Sequence, residues 1–344
     1  MQKEIVNGGP LLDLDGHLIE KGYAKSLIKD YQRSDIKANK LRIKEWDYYL
    51  VYNEEYAIAL TFDDNSYMGL MSVSVIDFKN QREKTVSPMQ FMSKGNHHLP
   101  STSKHGDCIY HSKKIDMLFR HVDGKRVLKC KLPNFHEDSD FECHLELTNE
   151  PKESMVIITP FKDKPKAFYY NQKIVGFKVN GYFKVGNFKY EFKENDTRAI
   201  LDWGRGVWTY KNTWYWGAGC GIVDGHEIGF NIGYGFGDTS AASENAIFYD
   251  GIMHKLENVT FNIPKNEKGK YEYTKPWTFT SSDGRFEMEF TPIIDRKSKT
   301  DVLLICSDQH QVFGKFNGKM VLDNGKVIEL KDFIAFAERV FNKW

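Results

Sequence analysis

The sequence lacks an excess of charge of either sign. Its 344 residues include 48 Lys and Arg against 47 Asp and Glu, which gives a formal net charge of +1. Proteins that bind nucleic acid or another polyanion through bulk charge carry a basic excess. The balance therefore predicts that the protein has no nucleic-acid partner.

Long hydrophobic runs are also missing. The longest candidates, such as Val302–Cys306, have the length of a strand, whereas a membrane-spanning helix needs about 20 apolar residues. The N-terminal residues Met1–Gly8 contain no apolar core of the kind that a secretion signal requires. We expect no integral membrane segment.

Cysteine is scarce, and no Cys-x-x-Cys motif occurs among the five cysteines. The cysteines are odd in number and widely spaced. Reduced thiols in a cytoplasmic protein explain this better than a disulfide framework does. The one dense group of metal-capable side chains consists of His97, His98, His105, Asp107, Cys108 and His111. Its spacing matches no zinc motif and its surroundings indicate a loop, so we expect no bound metal.

Aromatic residues, by contrast, are abundant at 14% of the chain, and apolar residues alternate with polar ones in segments such as Asp140–Leu147 and Arg285–Phe290. A period of two predicts half-buried antiparallel strands. Pairs such as Asp123-Gly124, Asn180-Gly181 and Asp250-Gly251 are typical of the tight turns that join neighbouring strands. The pattern predicts an all-β meander that closes into barrels or sandwiches.

The length suggests two domains. We place the boundary after Phe177–Phe192, at Glu194-Asn195-Asp196, which gives domains 1–195 and 196–344. The clearest helix signal lies at the C-terminus, where apolar residues recur at three- and four-residue spacing after Asp332, a possible helix cap. These residues are Phe333, Phe336, Ala337, Val340 and Trp344. They predict an amphipathic helix that seals a barrel, with partner binding as the alternative.

Two adjacent glycine-rich stretches stand out. In Trp214–Ile222 and again in His226–Phe236, large residues alternate with glycines, so that one face of each predicted strand carries few side chains. Glycine weakens a strand through conformational entropy and lost packing. The bare face therefore either packs closely against a neighbouring element or leaves room for a ligand, and we favour close packing.

Ionisable side chains near these glycines are the candidate catalytic residues. Asp202 and Arg205 lie among indoles, where they would hold a polar head group or, with a raised pKa, Asp202 would act as an acid. We favour the simpler interpretation that the two residues pair to fix a turn. Glu244 lies in a polar loop, either at the mouth of a barrel or in solvent, and His310 at a predicted strand start, where a lone histidine more often has a structural role.

Other motifs do not have the context that their chemistry requires. Gly233–Gly237 is not followed by a helix pattern, and no Gly-Lys-Ser/Thr occurs, so a phosphate cradle is missing and we expect no cofactor. Phe161–Lys173 interleaves lysines with aromatics, as a surface for single-stranded nucleic acid would. The neutral overall charge and Asp163 favour a solvated loop that leads into a strand.

Several motifs together resemble the bacterial family called domain of unknown function 2804. They are Phe161–Lys173, Asp202-Trp-Gly-Arg-Gly-Val-Trp, Trp214-Tyr-Trp-Gly, Gly229-Phe-Asn-Ile-Gly-Tyr-Gly-Phe-Gly-Asp and His310-Gln-Val-Phe-Gly, with Gly9-Pro-Leu-Leu-Asp-Leu-Asp-Gly and Lys44-Glu-Trp-Asp-Tyr-Tyr near the N-terminus. The resemblance runs from about Asn7 to Trp344. It implies a distant relation to two-barrel, lipocalin-like proteins such as carotenoid hydratases, tocopherol cyclase and lipocalin-like Diels–Alderases, and it implies no catalytic residues.

Two functions follow as hypotheses. In the first, the protein binds a small, largely apolar molecule such as a lipid or isoprenoid, in a barrel or where the domains meet. The candidate ligand-binding residues are Trp203, Arg205, Trp208, Trp214, Trp216, Asn231, Tyr234 and Phe236. In the alternative, a cofactor-free hydratase, cyclase or isomerase acts on an isoprenoid- or polyketide-like substrate, with Asp202 or Glu244 as acid and aromatic faces stabilising a cation. A third, purely structural role stays open, as does the oligomeric state.

Overall fold

Alternating side chains build most of the chain into β-strands. The computed structural model describes residues 2–302 and 305–343, and within these ranges it contains no α-helix and two 3₁₀ turns, Arg33–Asp35 and Lys40–Arg42. The strands in chain order are β1 (Gly9–Pro10), β2 (Gly22–Ala24), β3 (Lys29–Asp30), β4 (Ile43–Tyr52), β5 (Tyr56–Asp64), β6 (Met68–Asp77), β7 (Arg82–Val86), β8 (Met89–Phe91), β9 (Cys108–His111), β10 (Asp116–Val122), β11 (Lys125–His136), β12 (Ser139–Thr148), β13 (Met155–Phe161), β14 (Lys164–Val185), β15 (Phe188–Phe192), β16 (Arg198–Val207), β17 (Lys211–Val223), β18 (His226–Tyr234), β19 (Ala246–Tyr249), β20 (Ile252–Lys255), β21 (Val259–Asn262), β22 (Trp277–Ser281), β23 (Phe286–Val302), β24 (Ile305–Val321) and β25 (Val327–Lys343).

Apart from the short parallel pair of β1 and β3, the strands form two large curled antiparallel sheets, and the all-β prediction is confirmed. The first sheet has the main order β7-β6-β5-β4-β16-β14-β12-β11-β10-β9, and the second has the order β20-β19-β18-β17-β25-β24-β23-β22-β21. The chain passes from the first sheet to the second between Val207 and Lys211. Strand β16 thus belongs to the first sheet, and the division into domains 1–195 and 196–344 stays a prediction.

Two of the three turn predictions are confirmed. Asp123-Gly124 and Asp250-Gly251 join β10 to β11 and β19 to β20, and all four residues have positive φ. Asn180-Gly181 is not a turn but lies inside β14. Gly181 has a φ of 141°, and a Cβ there would lie 2.2 Å from the carbonyl oxygen of His144. Glycine is needed at this position because the backbones of two strands approach each other closely. A sequence pattern cannot distinguish this need from that of a turn.

The predicted C-terminal helix is wrong, because residues 327–343 form β25. From Phe333 onward, both faces of this strand are largely buried. Phe333 and Ala337 belong to the core of the second sheet, whereas Phe336 belongs to the cluster that contacts the first sheet. Two interleaved faces of one strand therefore produce the three- and four-residue spacing that resembles a helix. Trp344 lies outside the described residues.

Asp332 does not cap a helix. It has a φ of 51° and lies where the register between β24 and β25 shifts, and its amide donates to Asn317 Oδ1 at 2.9 Å. A left-handed residue at a register shift is the geometry of a β-bulge. The short polar side chain that suggests a helix cap also suits this conformation.

The apolar core of the first sheet continues across its contact with the second sheet. Trp216, Cys220, Phe236, Phe313 and Phe336 all belong to the second sheet or its loops, and all are buried in the hydrophobic cluster of the first. A separate cluster lies within the second sheet. The two sheets are therefore held together by continuous apolar packing rather than by a linker.

The glycines of β17 and β18 pack closely, as favoured from the sequence. A Cβ on Gly219 would lie 2.5 Å from Ala335 Cβ and 3.1 Å from the rings of Phe230 and Phe333. On the other side of the sheet, a Cβ on Gly229 would lie 2.7 Å from a methyl group of Val175 in the first sheet. The missing side chains make room for aromatic rings inside the second sheet and for the approach of the first sheet.

We expect Gly219→Ala to destabilise the protein by about 1–3 kcal/mol, because the added methyl overpacks a full core. Gly8→Ala is the matched control, since a Cβ there meets only the Ile28 oxygen at 3.4 Å. Urea unfolding measures both variants. If Gly219→Ala and Gly8→Ala unfold at the same urea concentration, the packing argument is wrong.

Candidate functional site

Strands from both sheets meet face to face in a region that we call the joint. It consists of β4, β14 and β16 of the first sheet and β17, β18, β24 and β25 of the second. Alternation along each strand decides which side chains enter it. On β16, Asp202 faces the joint, whereas Trp203 and Arg205 point to the interior of the first sheet.

A buried ion pair lies at the centre of the joint. Lys173 Nζ of β14 is 2.7 Å from Asp202 Oδ1 of β16, and the two residues are directly opposite each other in the ladder. Asn171 donates its amide to the same carboxylate oxygen at 2.5 Å. The ammonium also lies 4.1 Å from the centre of the Trp216 ring. The first sheet thus supplies a fixed positive charge against an indole of the second sheet.

Trp216 connects this ion pair to Glu244. Its Nε1 donates to Asn231 Oδ1 at 2.7 Å, and the Asn231 amide donates to the main-chain oxygen of Glu244 at 2.8 Å. Part of Glu244 is exposed, yet its Oε2 is buried and makes no hydrogen bond within the described part of the chain. Gly233 makes room for the carboxyl group, since a Cβ there would lie 2.7 Å from Glu244 Oε1.

A second buried carboxyl group, Glu338 of β25, faces the same region. Trp214 Nε1 donates to one of its oxygens at 3.0 Å, and Gln311 Nε2 donates to the other at 3.0 Å. Gln311 in turn accepts a hydrogen bond of 2.7 Å from Arg296 and lies 3.4 Å from the hydroxyl of Tyr48. Glu338 is thus held in one orientation by residues of four strands.

Burial alters the acidity of both glutamates. Desolvation raises the pKa of Glu338 to about 7, although the hydrogen bond from Trp214 and the positive charge of Lys173 oppose the change. Desolvation also raises the pKa of Glu244, with Lys173 opposing and the nearby Asp202 contributing. Both groups therefore hold a proton at a higher pH than an exposed glutamate does, which suits a proton donor.

Aromatic rings cover one end of the set of buried charged side chains in the joint. Trp208 makes edge contacts with Trp46 at 5.3 Å, with Trp214 at 5.7 Å and with Phe236 at 4.7 Å between ring centroids. Phe236 also contacts Tyr169 at 4.8 Å, and Tyr169 reaches Lys173 Nζ at 3.5 Å through its hydroxyl. We call Trp46, Tyr169, Trp208, Trp214 and Phe236 the aromatic layer. It presents indole and phenyl faces beside the buried charges.

A cavity of about 380 Å³ opens at the other end of the joint. Its lining includes Val175 and Gly229, which lie two positions beyond Lys173 and Asn231 on the same faces of β14 and β18. Glu227 and Asp250 are also in the lining, and both are paired with basic side chains. The volume falls within the range of small-molecule sites.

The interpretation of Asp202 and Arg205 as a pair is wrong. The two residues are three positions apart on a straight strand, so their side chains leave opposite faces. Arg205 instead bonds to Asp47 Oδ1 at 2.9 Å and to the carbonyl oxygen of Pro100 at 2.8 Å. Its guanidinium lies 4.3 Å from the ring of Trp203. Trp203 and Arg205 thus lie on the far side of β16 from the joint.

Tyr234 and His310 also lie away from the joint. Tyr234 stacks on Tyr215 with ring centroids 4.5 Å apart and packs against the core of the second sheet. His310 stacks on Tyr273 at 3.7 Å, and its Nδ1 lies 2.8 Å from Asp295 Oδ2. Of the sequence candidates, the structure brings together Asp202, Trp208, Trp214, Trp216, Asn231, Phe236 and Glu244.

The group of metal-capable residues in the first sheet is divided among separate contacts. His97 lies 3.4 Å from Asp64, Asp107 pairs with Arg120 at 2.7 Å, and the Cys108 thiol contacts Asp47. Among the described residues, no group of three His, Cys, Asp or Glu side chains is arranged to hold a metal ion. Neither of the two 3₁₀ turns in the described ranges is long and apolar enough to span a membrane.

Sequence reasoning missed Lys173, Glu338 and Gln311. Lys173 ends a segment that resembles a solvated basic loop, and only the strand alternation of β14 places it inside. Glu338 stands between Phe336 and Val340 on one strand face, and a charge at an apolar position is the signal that would have identified it. The helix interpretation of this segment concealed that signal.

Solved structures with the same architecture include a protein of Nitrosomonas europaea that bears the provisional name AttH. It is 12% identical over 92% of this chain and 97% of that chain, with a TM-score of 0.54. CghA, solved with Sch210972, is 9% identical over 97% of both chains, with a TM-score of 0.50. Kievitone hydratase of Nectria haematococca is 10% identical over 88% of both chains, with a TM-score of 0.47. At identities this low, the likenesses to the Nitrosomonas europaea protein and to CghA show a common fold alone.

The chain is thus an all-β protein that shares its fold with the Nitrosomonas europaea protein and with CghA. It belongs to the family called domain of unknown function 2804, whose model matches residues 2–344. The family resemblance seen in the sequence is confirmed. No curated protein matches the chain.

We expect Lys173→Met to cost about 3–5 kcal/mol of stability, because it leaves the Asp202 carboxylate buried without its cation. Lys189→Met is the matched control, since the Lys189–Glu191 pair lies at the surface with an N–O distance of 2.9 Å, and its loss should leave the stability almost unchanged. Adding Asp202→Asn to Lys173→Met should recover much of the loss. Denaturant unfolding tests this, and equal losses for the two lysine variants would contradict it.

Proposed function

We propose that the protein binds a small, largely apolar molecule at the joint, between two lipocalin-like barrels formed by the two sheets. The observation that carries this proposal is Glu244 Oε2, a buried carboxyl oxygen that no described protein group satisfies. A buried polar atom without a hydrogen bond is costly, and a ligand hydroxyl or amine would satisfy it.

The surroundings of Glu244 define the rest of the ligand. Trp208, Trp214 and Phe236 present aromatic faces, and the cavity lined by Val175 and Gly229 offers further space at the far end of the joint. Apolar walls with a few fixed polar groups are typical of small-molecule sites. The proposed ligand is therefore a lipid, isoprenoid or similar molecule with one hydrogen-bond donor.

We expect Trp208→Leu to weaken binding of the neutral apolar dye 1-N-phenylnaphthylamine about tenfold, because an aromatic wall of the site is lost. Phe188→Leu is the control, since Phe188 is an exposed aromatic residue at the start of β15, a strand that is not part of the joint. Dye fluorescence measures the affinity, and native mass spectrometry of protein from its own host looks for a retained ligand. If the wild-type protein binds no dye and retains no ligand, the proposed function is refuted.

Acid–base catalysis at the same place is the second candidate function, and the position of Glu338 favours it. Its carboxyl group has a pKa of about 7, so part of it is protonated at neutral pH, and it lies beside the Trp214 indole. In a hydration, Glu338 would give its proton to an alkene carbon, water would attack the resulting cation, and the carboxylate would take a proton back. Indole faces stabilise such a cation.

This candidate needs no cofactor, and its substrate would be isoprenoid- or polyketide-like. The acid assigned to Asp202 from the sequence would first have to leave its ion pair with Lys173. Glu244 and Glu338, whose burial favours the protonated form, are better suited to the role.

We expect Glu338→Gln to change how stability depends on pH. The pKa of Glu338 rises from 4.5 to about 7 on folding, so its stabilising contribution is complete below about pH 4.5 and is lost as the pH rises through 7. The glutamine variant lacks this loss. Its stability relative to wild type should therefore increase between pH 5 and pH 8, measured by urea unfolding at each pH.

Glu329→Gln is the control for this experiment, because Glu329 lies on the same strand with its side chain exposed. Its stability relative to wild type should not change over the same range. A difference curve for Glu338→Gln that is flat between pH 5 and pH 8 would remove Glu338 as the proton donor.

A further inference from the structure

One short segment exposes three large apolar side chains. Met89 is 54% exposed, Phe91 80% and Met92 47%, and Leu41 in a neighbouring turn is 39% exposed. We call these four residues the Phe91 patch. Single exposed apolar residues are ordinary, but several together mark a surface that contacts something other than water.

Strand pairing extends this apolar surface. Phe91 lies directly opposite Met68 and Met89 directly opposite Leu70 in the antiparallel pair of β8 and β6. Residues opposite each other share one face of a sheet, and Met68 and Leu70 are themselves partly exposed. The apolar surface of the patch therefore continues from β8 onto β6 at the edge of the first sheet.

Basic side chains surround the patch. A cavity of about 310 Å³ is lined by Lys40, Leu41, Met92 and Lys94, so two lysines and two members of the patch share one depression. Segments 37–42 and 89–94 together contain four basic residues, Lys37, Lys40, Arg42 and Lys94, and no acidic residue. The chain as a whole has a net charge of only +1. Lys40 and Lys94 thus place positive charge beside the exposed apolar side chains.

We propose that the Phe91 patch docks on an anionic lipid membrane surface. Apolar side chains inserted at the boundary between head groups and acyl chains, flanked by lysines that reach the lipid phosphates, are the recognised composition of interfacial binding. Docking of this kind leaves the chain peripheral to the bilayer. The proposal does not depend on the ligand at the joint, although a membrane would be a natural source of an apolar ligand.

A second copy of the chain fits the patch less well. In a two-fold dimer each surface meets its own copy, so the lysines around one patch would face those around the other. Like charges in contact oppose association, whereas anionic head groups neutralise them. The charge distribution therefore favours lipid as the occupant.

Vesicle co-sedimentation tests the proposal with the full-length protein. Wild-type protein should partition onto vesicles of phosphatidylcholine and phosphatidylglycerol (3:1) at least tenfold better than onto phosphatidylcholine alone, and 0.5 M NaCl should abolish the difference. Phe91→Ser and the double variant Lys40→Glu/Lys94→Glu should each lower partitioning about tenfold or more. Circular dichroism and thermal melting confirm that these surface variants are folded.

Phe188→Ser and Lys189→Glu are the matched controls, because Phe188 is 72% exposed and Lys189 is also at the surface. They should partition as wild type does. Equal partitioning onto neutral and anionic vesicles, or unchanged partitioning of the patch variants, overturns the proposal. Light scattering that shows a wild-type dimer and a Phe91→Ser monomer overturns it in favour of a second copy.

Discussion

The joint depends on one ammonium group that faces three carboxyl groups in a region largely closed to water. Within the described ranges, Lys173 forms a direct ion pair with Asp202 alone, while Glu244 and Glu338 feel its charge without a bond to it. Charges removed from water are costly unless they are paired. Because the cation is already committed to Asp202, the two glutamates lower their energy by keeping a proton. Their altered acidity is thus a consequence of the charge balance in the joint.

The same arrangement depends on glycines, which have no side chain. Gly233 leaves space for the Glu244 carboxyl group, and Gly229 lets Val175 of the first sheet rest on the backbone of the second. On the opposite face of β17, Gly219 accommodates aromatic rings of the inner core. Bare backbone therefore sets how closely the sheets approach, and the close approach closes the polar groups off from water.

Much of the fold follows from sequence periodicity, because a strand with one buried face has a period of two that can be read directly. The C-terminal strand escapes this rule. From Phe333 onward both of its faces are largely buried, so Phe333 and Ala337 on one face interleave with Phe336 on the other and imitate a helix. A local sequence pattern shows which residues are buried, but it does not show which neighbouring element buries them.

The candidate site is predictable only in part for a related reason. Trp214, Trp216, Asn231 and Glu244 stand in or beside the glycine-rich stretches, and composition alone draws attention to them. Lys173 comes from a distant strand and acquires its role only when β14 pairs with β16. Asp202 and Arg205 are close in sequence and separated by the strand itself, so the partner of each lies on another strand. Pairing across sheets is information that spacing along the chain does not contain.

Adhesion between the sheets does not require these polar groups. Apolar packing already joins the two sheets through Phe236, Phe313 and Phe336. A buried ion pair is often no more stabilising than well-packed apolar side chains of the same volume. A joint that only had to hold two sheets together would therefore be served equally well by replacing Lys173, Asp202 and Glu338 with apolar residues. The oriented carboxyl groups and the aromatic layer beside them are therefore the features on which the proposed binding of a small molecule rests.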